Sequence, residues 1–219
     1  MKQLKLAIAN KNYSSWSMRP WVLLTQAGIA FEEIGLKFSD AGKVEGIEPY
    51  SPTRQVPALI VDGEPVWDSL AICETVAELF PDKRLWPADA RARQIARSIC
   101  AEMHAGFRNL RGAMPMNIRA SHTGKGMSPA VRQDIDRIAE IWTSCRARFS
   151  KNGELLFGQF TIADAYYAPV ATRFSTYAVT LPPPAQRYAD TLLALPAVQE
   201  WMAQARRETE FVRADEPYA

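Results

Sequence analysis

The stretch from Gln55 to Ser69, QVPALIVDGEPVWDS, constrains the fold of this chain more than any other. Two short apolar runs, Ala58–Val61 and Pro65–Trp67, flank Asp62-Gly63, and an Asp-Gly pair between such runs is a strong type I′ hairpin signal. Asp68-Ser69 then opens the apolar-periodic run LAICETVAELF, which stops at Pro81. Asp and Ser satisfy orphan N–H groups at helix starts, so the spacing predicts strand, turn, strand, helix. Pro57 stands just ahead of the first strand, where its missing N–H breaks no ladder.

Upstream, LKLAIA (Leu4–Ala9) alternates Leu4, Leu6 and Ile8 with smaller or polar residues, as a first strand does. In SSWSMRPWVLLTQAG, Ser17 is the expected N-cap, Pro20 is tolerated in the first turn, and Gly28 is the expected stop. Phe31–Leu36 reads as a second strand. The order β-α-β-β-α is the thioredoxin-like one, a parallel βαβ unit joined to an antiparallel hairpin. Between Ser39 and Pro52, a stretch with two glycines and two prolines and no periodicity, a loop with a short irregular helix is expected.

Strand signals vanish after PDKRLWPADA. Helices are expected over Arg91–Arg111, Pro129–Phe149, Thr161–Tyr177, Ala185–Leu195 and Pro196–Glu208. The reading is therefore α/β plus all-α: a thioredoxin-like domain over 1–81, a linker over 82–88 and a helical bundle over 89–219. Thr161 with Asp164 three residues on forms a capping-box pattern, with Asp in place of the usual Glu or Gln.

Lys and Arg total 26 against 24 Asp and Glu, a balance that argues against nucleic acid or a membrane surface as partner. Cys73, Cys100 and Cys145 are scattered and odd in number, which argues against a disulfide framework or a metal site. No leader is read ahead of Leu4 and no apolar run reaches the ~18 residues of a membrane span, so a cytoplasmic protein is expected.

Gln-Val-Pro, the Asp-Gly hairpin, Asp-Ser at a helix start and the helical second half together resemble the glutathione S-transferase family over nearly the whole chain. SSWSMR resembles its serine-type, zeta- and theta-like classes, in which a serine precedes an arginine by four or five residues. The resemblance implies glutathione as co-substrate, no metal, a small electrophilic second substrate and a homodimer.

It also implies a site. Ser14, and after it Ser15, would donate a hydrogen bond to the glutathione thiolate, aided by the helix dipole. Tyr13 is a weaker alternative donor, and Ser17 a capping residue. Trp16, where zeta members carry cysteine, either packs on the ligand or covers the loop. With its proline cis, Val56 would pair through its backbone with the cysteinyl part, and Pro57 would fix that geometry. About 5% of X–Pro bonds in folded proteins are cis, and pattern alone does not select them. Ser69 would take the γ-glutamyl carboxylate, Asp68 the γ-glutamyl amine, and Gln55 the ligand backbone, while Lys43 or Arg54 would meet the glycyl carboxylate.

Met103, Phe107, Leu110 and Met114 share a helical face, a stripe that reads as core or as second-substrate pocket; Met103, Phe107 and Arg111 are the pocket candidates. His104 and Arg108 could also reach the groove. The implied activity is glutathione transfer to an apolar electrophile, with maleylacetoacetate-type cis–trans isomerisation or a non-catalytic scaffold as alternatives. A disulfide reductase would need a cysteine in the first-helix loop, and Met1 to Leu70 has none.

Overall fold

The computed structural model describes residues 3–151 and 153–219. Six strands come first: β1 (Leu4–Ile8), β2 (Glu32–Gly35), β3 (Lys37–Phe38), β4 (Val44–Glu45), β5 (Ala58–Val61) and β6 (Glu64–Trp67). Helix α1 (Ser15–Gln26) joins β1 to β2, and α2 (Ser69–Leu79) follows β6. The main sheet has the order β2-β1-β5-β6, with β1 parallel to β2 and antiparallel to β5, and β5 antiparallel to β6. This is the expected thioredoxin-like order. Asp62 and Gly63 both take positive φ between β5 and β6, as a type I′ turn requires.

The helical half comprises α3 (Ala90–Ala105), α4 (Arg108–Ala113), α5 (Pro129–Phe149), α6 (Ile162–Thr176), α7 (Pro183–Leu193) and α8 (Pro196–Arg207). Helix α6 is buried along almost its full length and packs on α1, α3 and α7, so one apolar core runs from the sheet into the bundle. The capping box at its start is complete. Asp164 accepts from the Thr161 N–H at 2.9 Å and the Thr161 hydroxyl at 3.0 Å, and also from Leu156 N–H and the Tyr188 hydroxyl.

Three local expectations are corrected. The helix expected over Arg91–Arg111 is broken at Gly106-Phe107, where Phe107 takes φ 56° and the chain turns into α4. The Ser39–Pro52 stretch carries β4, which pairs antiparallel with β3, in place of an irregular helix. Helix α1 starts earlier than expected: its N-cap is Ser14, whose hydroxyl accepts from the Ser17 N–H. Ser17 lies inside the helix, because Ser14 with Ser17 three residues on completes the side-chain-to-backbone cap first.

Candidate functional site

A cleft of about 1520 Å³ lies between the sheet domain and the bundle, at the N-termini of α1 and α2. It gathers residues that are far apart in sequence: the loop into α1, the approach to β5, the end of β6, the α3–α4 turn, Arg173 of α6 and the tail at Ala214-Asp215. Of the residues expected to bind the peptide, Ser14, Ser15, Trp16, Lys43, Gln55, Val56, Pro57, Asp68 and Ser69 all line it, as do Arg54 and Arg111. The Val56–Pro57 bond is cis. Met103 and Phe107, expected as pocket candidates, are buried in the core. Leu110 and Met114, which continue the same spacing beyond the break, are buried in that core as well.

The two leading serines differ in how their hydroxyls are used. Ser14 donates to the Ser17 hydroxyl at 2.7 Å, so its proton is turned into the protein. Ser15, the first residue of α1, accepts from Arg173 Nη2 at 3.1 Å, and its own proton has no acceptor among the described residues. Tyr13 is taken: it donates to Glu216 at 2.7 Å and accepts from Arg119 at 2.9 Å. Arg119 also binds the carbonyls of Glu208 and Glu210, and the Glu208 carboxylate accepts from the N–H groups of Lys11 (2.6 Å) and Asn12 (2.9 Å). The C-terminal tail therefore fixes the loop that presents the serines.

Arg173 is the residue that sequence reasoning missed. It is 4% exposed, and its Nε donates to the Met114 carbonyl at 2.9 Å. Among the described residues it has no carboxylate partner. Burial, then the nearby Arg19 and Arg111, push its pKa down to about 9. One signal was available in the sequence: a lone arginine in the apolar run IADAYYAPVATRFST, where a charged side chain is rarely buried without cause.

Trp16 sits between two cations, with Arg19 over its ring at 4.2 Å, Arg111 at 5.2 Å, and His104 edge-on at 5.2 Å. His104 Nε2 meets Asp68 at 3.1 Å, while Asp68 also caps α2 by accepting from the Leu70 N–H. Asp68 takes φ 72°, a left-handed conformation that a short polar side chain with local hydrogen bonds tolerates. Ser69, the first residue of α2, shares a 3.0 Å hydrogen bond with the Tyr166 hydroxyl from α6. Both helix N-termini thus open onto the cleft, whose lining also includes Arg54, Arg108, Arg111 and Arg173 beside Glu48, Asp68 and Asp215; a helix N-terminus suits carboxylates and a thiolate.

A thioredoxin-like domain with two helix N-termini and a cis-proline facing a helical bundle defines the class, and family models place the chain within it. Residues 13–79 match the glutathione S-transferase N-terminal domain, and residues 128–204 match the glutathione S-transferase C-terminal domain. The chain belongs to the glutathione S-transferase family. It is 28% identical to maleylacetoacetate isomerase of Rattus norvegicus, across 85% of this chain and 87% of that one. It is 24% identical to a probable maleylacetoacetate isomerase of Caenorhabditis elegans, across 84% and 85%. Among solved structures, a glutathione transferase homologue from Burkholderia with bound glutathione superposes with a TM-score of 0.70 at 23% identity, covering 94% of this chain and 100% of that one.

Proposed function

We propose that the protein is a glutathione-dependent enzyme that acts on an anionic, electrophilic substrate, with cis–trans isomerisation of an unsaturated acid as the reaction the cleft suits best. The observation that carries this is the pairing of Ser15 with buried Arg173, beside Arg108 and Arg111 in the same cleft. An apolar pocket would be the better host for an apolar electrophile. Three arginines on the wall of the same cleft favour a carboxylate-bearing one. The isomerase relatives, similar over most of their length, point the same way.

The residues divide the work. Ser69 and the α2 N-terminus would hold the γ-glutamyl carboxylate, with Asp68 on its amine, and the Val56 backbone would pair with the cysteinyl unit. Ser15 would donate its free proton to the sulfur, and the hydrogen bond from Arg173 makes that hydroxyl a stronger donor. Ser14 holds the first turn in place. Bound glutathione supplies a sulfur nucleophile that adds to the double bond, sends the π electrons to the conjugated carbonyl oxygen, and leaves after rotation with the electrons returned. Arg111 or Arg108 would balance the charge on that oxygen and on the substrate carboxylate.

Conjugation to an apolar electrophile is the second reading, favoured by Trp16 from α1 and by Pro115 and Met116 from the helical half, all on the cleft wall. Steady-state assays separate the two: maleylacetoacetate followed by ultraviolet absorbance, against a chloronitrobenzene, each with and without glutathione. Glutathione-dependent isomerisation is the expected result. Conjugation without isomerisation would overturn the first reading and leave the second.

A further inference from the structure

Arg19 belongs to no contact described so far for the peptide, yet it is the most anomalous charge in the molecule. Its side chain is 1% exposed, and among the described residues its Nε and Nη1 have no hydrogen-bond partner. Its guanidinium is sandwiched between the rings of Trp16 (4.2 Å) and Tyr166 (4.5 Å). Burying a guanidinium without a carboxylate is costly, and arginine cannot escape by losing its proton near neutral pH.

Helix geometry says where that charge acts. Arg19 stands four residues after Ser15, on the same face of α1, and helical side chains lean toward the N-terminus. The guanidinium therefore lies over the first turn, as its contact with Trp16 records. Through Tyr166, whose hydroxyl meets Ser69, it also underlies the start of α2.

The groups around it leave the charge uncompensated. From α2 come Ser69 and Cys73, from α3 Cys100 and His104, from α4 Arg111, and from α6 Tyr166 and Arg173. Burial pushes the thiols of Cys73 and Cys100 and the Tyr166 phenol up, so all three stay neutral. The carboxylates on the cleft wall are Asp68, engaged by His104 and the Leu70 N–H, Glu48, and Asp215 in the tail, and among the described residues none of them pairs with Arg19.

We infer that Arg19 is a positioning residue: its buried, carboxylate-free cation, acting with Arg173 and the α1 dipole on the space in front of Ser15, holds the sulfur of bound glutathione as thiolate. The inference deepens the proposed function and rests on it. A fixed positive charge in a poorly solvated site favours the ionised thiol, so removing the charge must raise the pH at which the bound sulfur ionises.

The experiment is a pH titration of bound glutathione on the full chain, read as thiolate absorbance near ~240 nm. Wild type, R19M and R19K are compared, with R19Q as a second neutral variant if R19M does not fold. S-methylglutathione, which has no ionisable thiol, reports site integrity. The wild-type midpoint should lie below the ordinary thiol value of ~8.5. R19M should move it up by about one unit or more, a roughly tenfold loss of thiolate in the linear range. S-methylglutathione affinity should stay within about twofold, the sign that the sulfur's charge and not the site was altered. R19K, which keeps a charge but cannot lie flat between two rings, should fall between them. An unmoved midpoint in the neutral variants, or S-methylglutathione affinity falling in step with it, would overturn the role of Arg19. Absence of any thiolate signal in wild type would instead overturn the serine-loop reading beneath it.

Discussion

The N-termini of α1 and α6 lie in the same core and both bury charge, but they treat it in opposite ways. At α6, Asp164 is fully buried and every lone pair it offers meets a donor, from Thr161 twice, Leu156 and Tyr188. At α1, Arg19 and, reaching in from α6, Arg173 are also buried, and among the described residues neither has a carboxylate partner. Arg173 is held by a hydroxyl and carbonyls alone, and Arg19 leaves Nε and Nη1 without any partner among those residues. A saturated charge has nothing left to bind, so its contribution is to the fold. An unsaturated one costs stability in the free protein and recovers it when an anion arrives. Satisfaction, more than burial, separates the helix start sealed in the core from the one that opens onto the cleft.

Substitutions can break that contrast. The largest effect is expected at the saturated end: Asp164→Ala strands four buried donors at about 1–3 kcal/mol each before relaxation, so a loss of about 3–5 kcal/mol should appear in denaturant unfolding. The same carboxyl gives a pH signature. Burial pushes it up to about 6 from its ordinary 3.8, so the native state holds a proton that the unfolded chain has released. Its stabilisation is complete below pH ~4 and is lost as pH rises through ~6, by up to about 3 kcal/mol. Thermal melts from pH 4 to 7 with Asp164→Asn, which cannot ionise, should remove that slope.

At the unsaturated end, activity and stability should part. Arg173→Met is expected to lower kcat/KM with glutathione by about 100-fold, the scale of losing one preorganised donor. Its unfolding free energy should stay within about 1 kcal/mol, because relief of the desolvation cost offsets the lost hydrogen bonds. The smallest effect sharpens the serine assignment. Ser14→Ala should cost about 1 kcal/mol of stability as a lost N-cap and leave thiolate absorbance intact. Ser15→Ala should do the reverse, losing thiolate without loss of stability. Equal behaviour of the two serines would dissolve the distinction.

How much of this was legible in the sequence depends on whether the signal was local. The hairpin, the α2 start at Asp68-Ser69 and the Thr161–Asp164 box are set by residues within a few positions of one another, and all appear as the sequence suggests. The break at Phe107 was hidden because the apolar stripe Met103, Phe107, Leu110, Met114 keeps helical spacing across it. The β3–β4 pair was hidden because two-residue strands show no alternation. In the cleft, residues on the recognised motifs could be named, whereas Arg173 arrives through a contact with Ser15, 158 positions away, and Asp215 reaches the cleft wall from the C-terminal tail. The different use of the Ser14 and Ser15 hydroxyls was hidden too, because it depends on their partners Ser17 and Arg173, and the second of these is far away in sequence.

The most direct test is calorimetric titration of glutathione into the full chain, wild type against Ser69→Ala. The account requires saturable binding by wild type at submillimolar to millimolar glutathione, and a clear loss when the α2 N-terminus gives up its hydroxyl. No heat of binding by wild type at millimolar glutathione would contradict it, and would leave the transferase fold as a scaffold whose uncompensated arginines await some other anion.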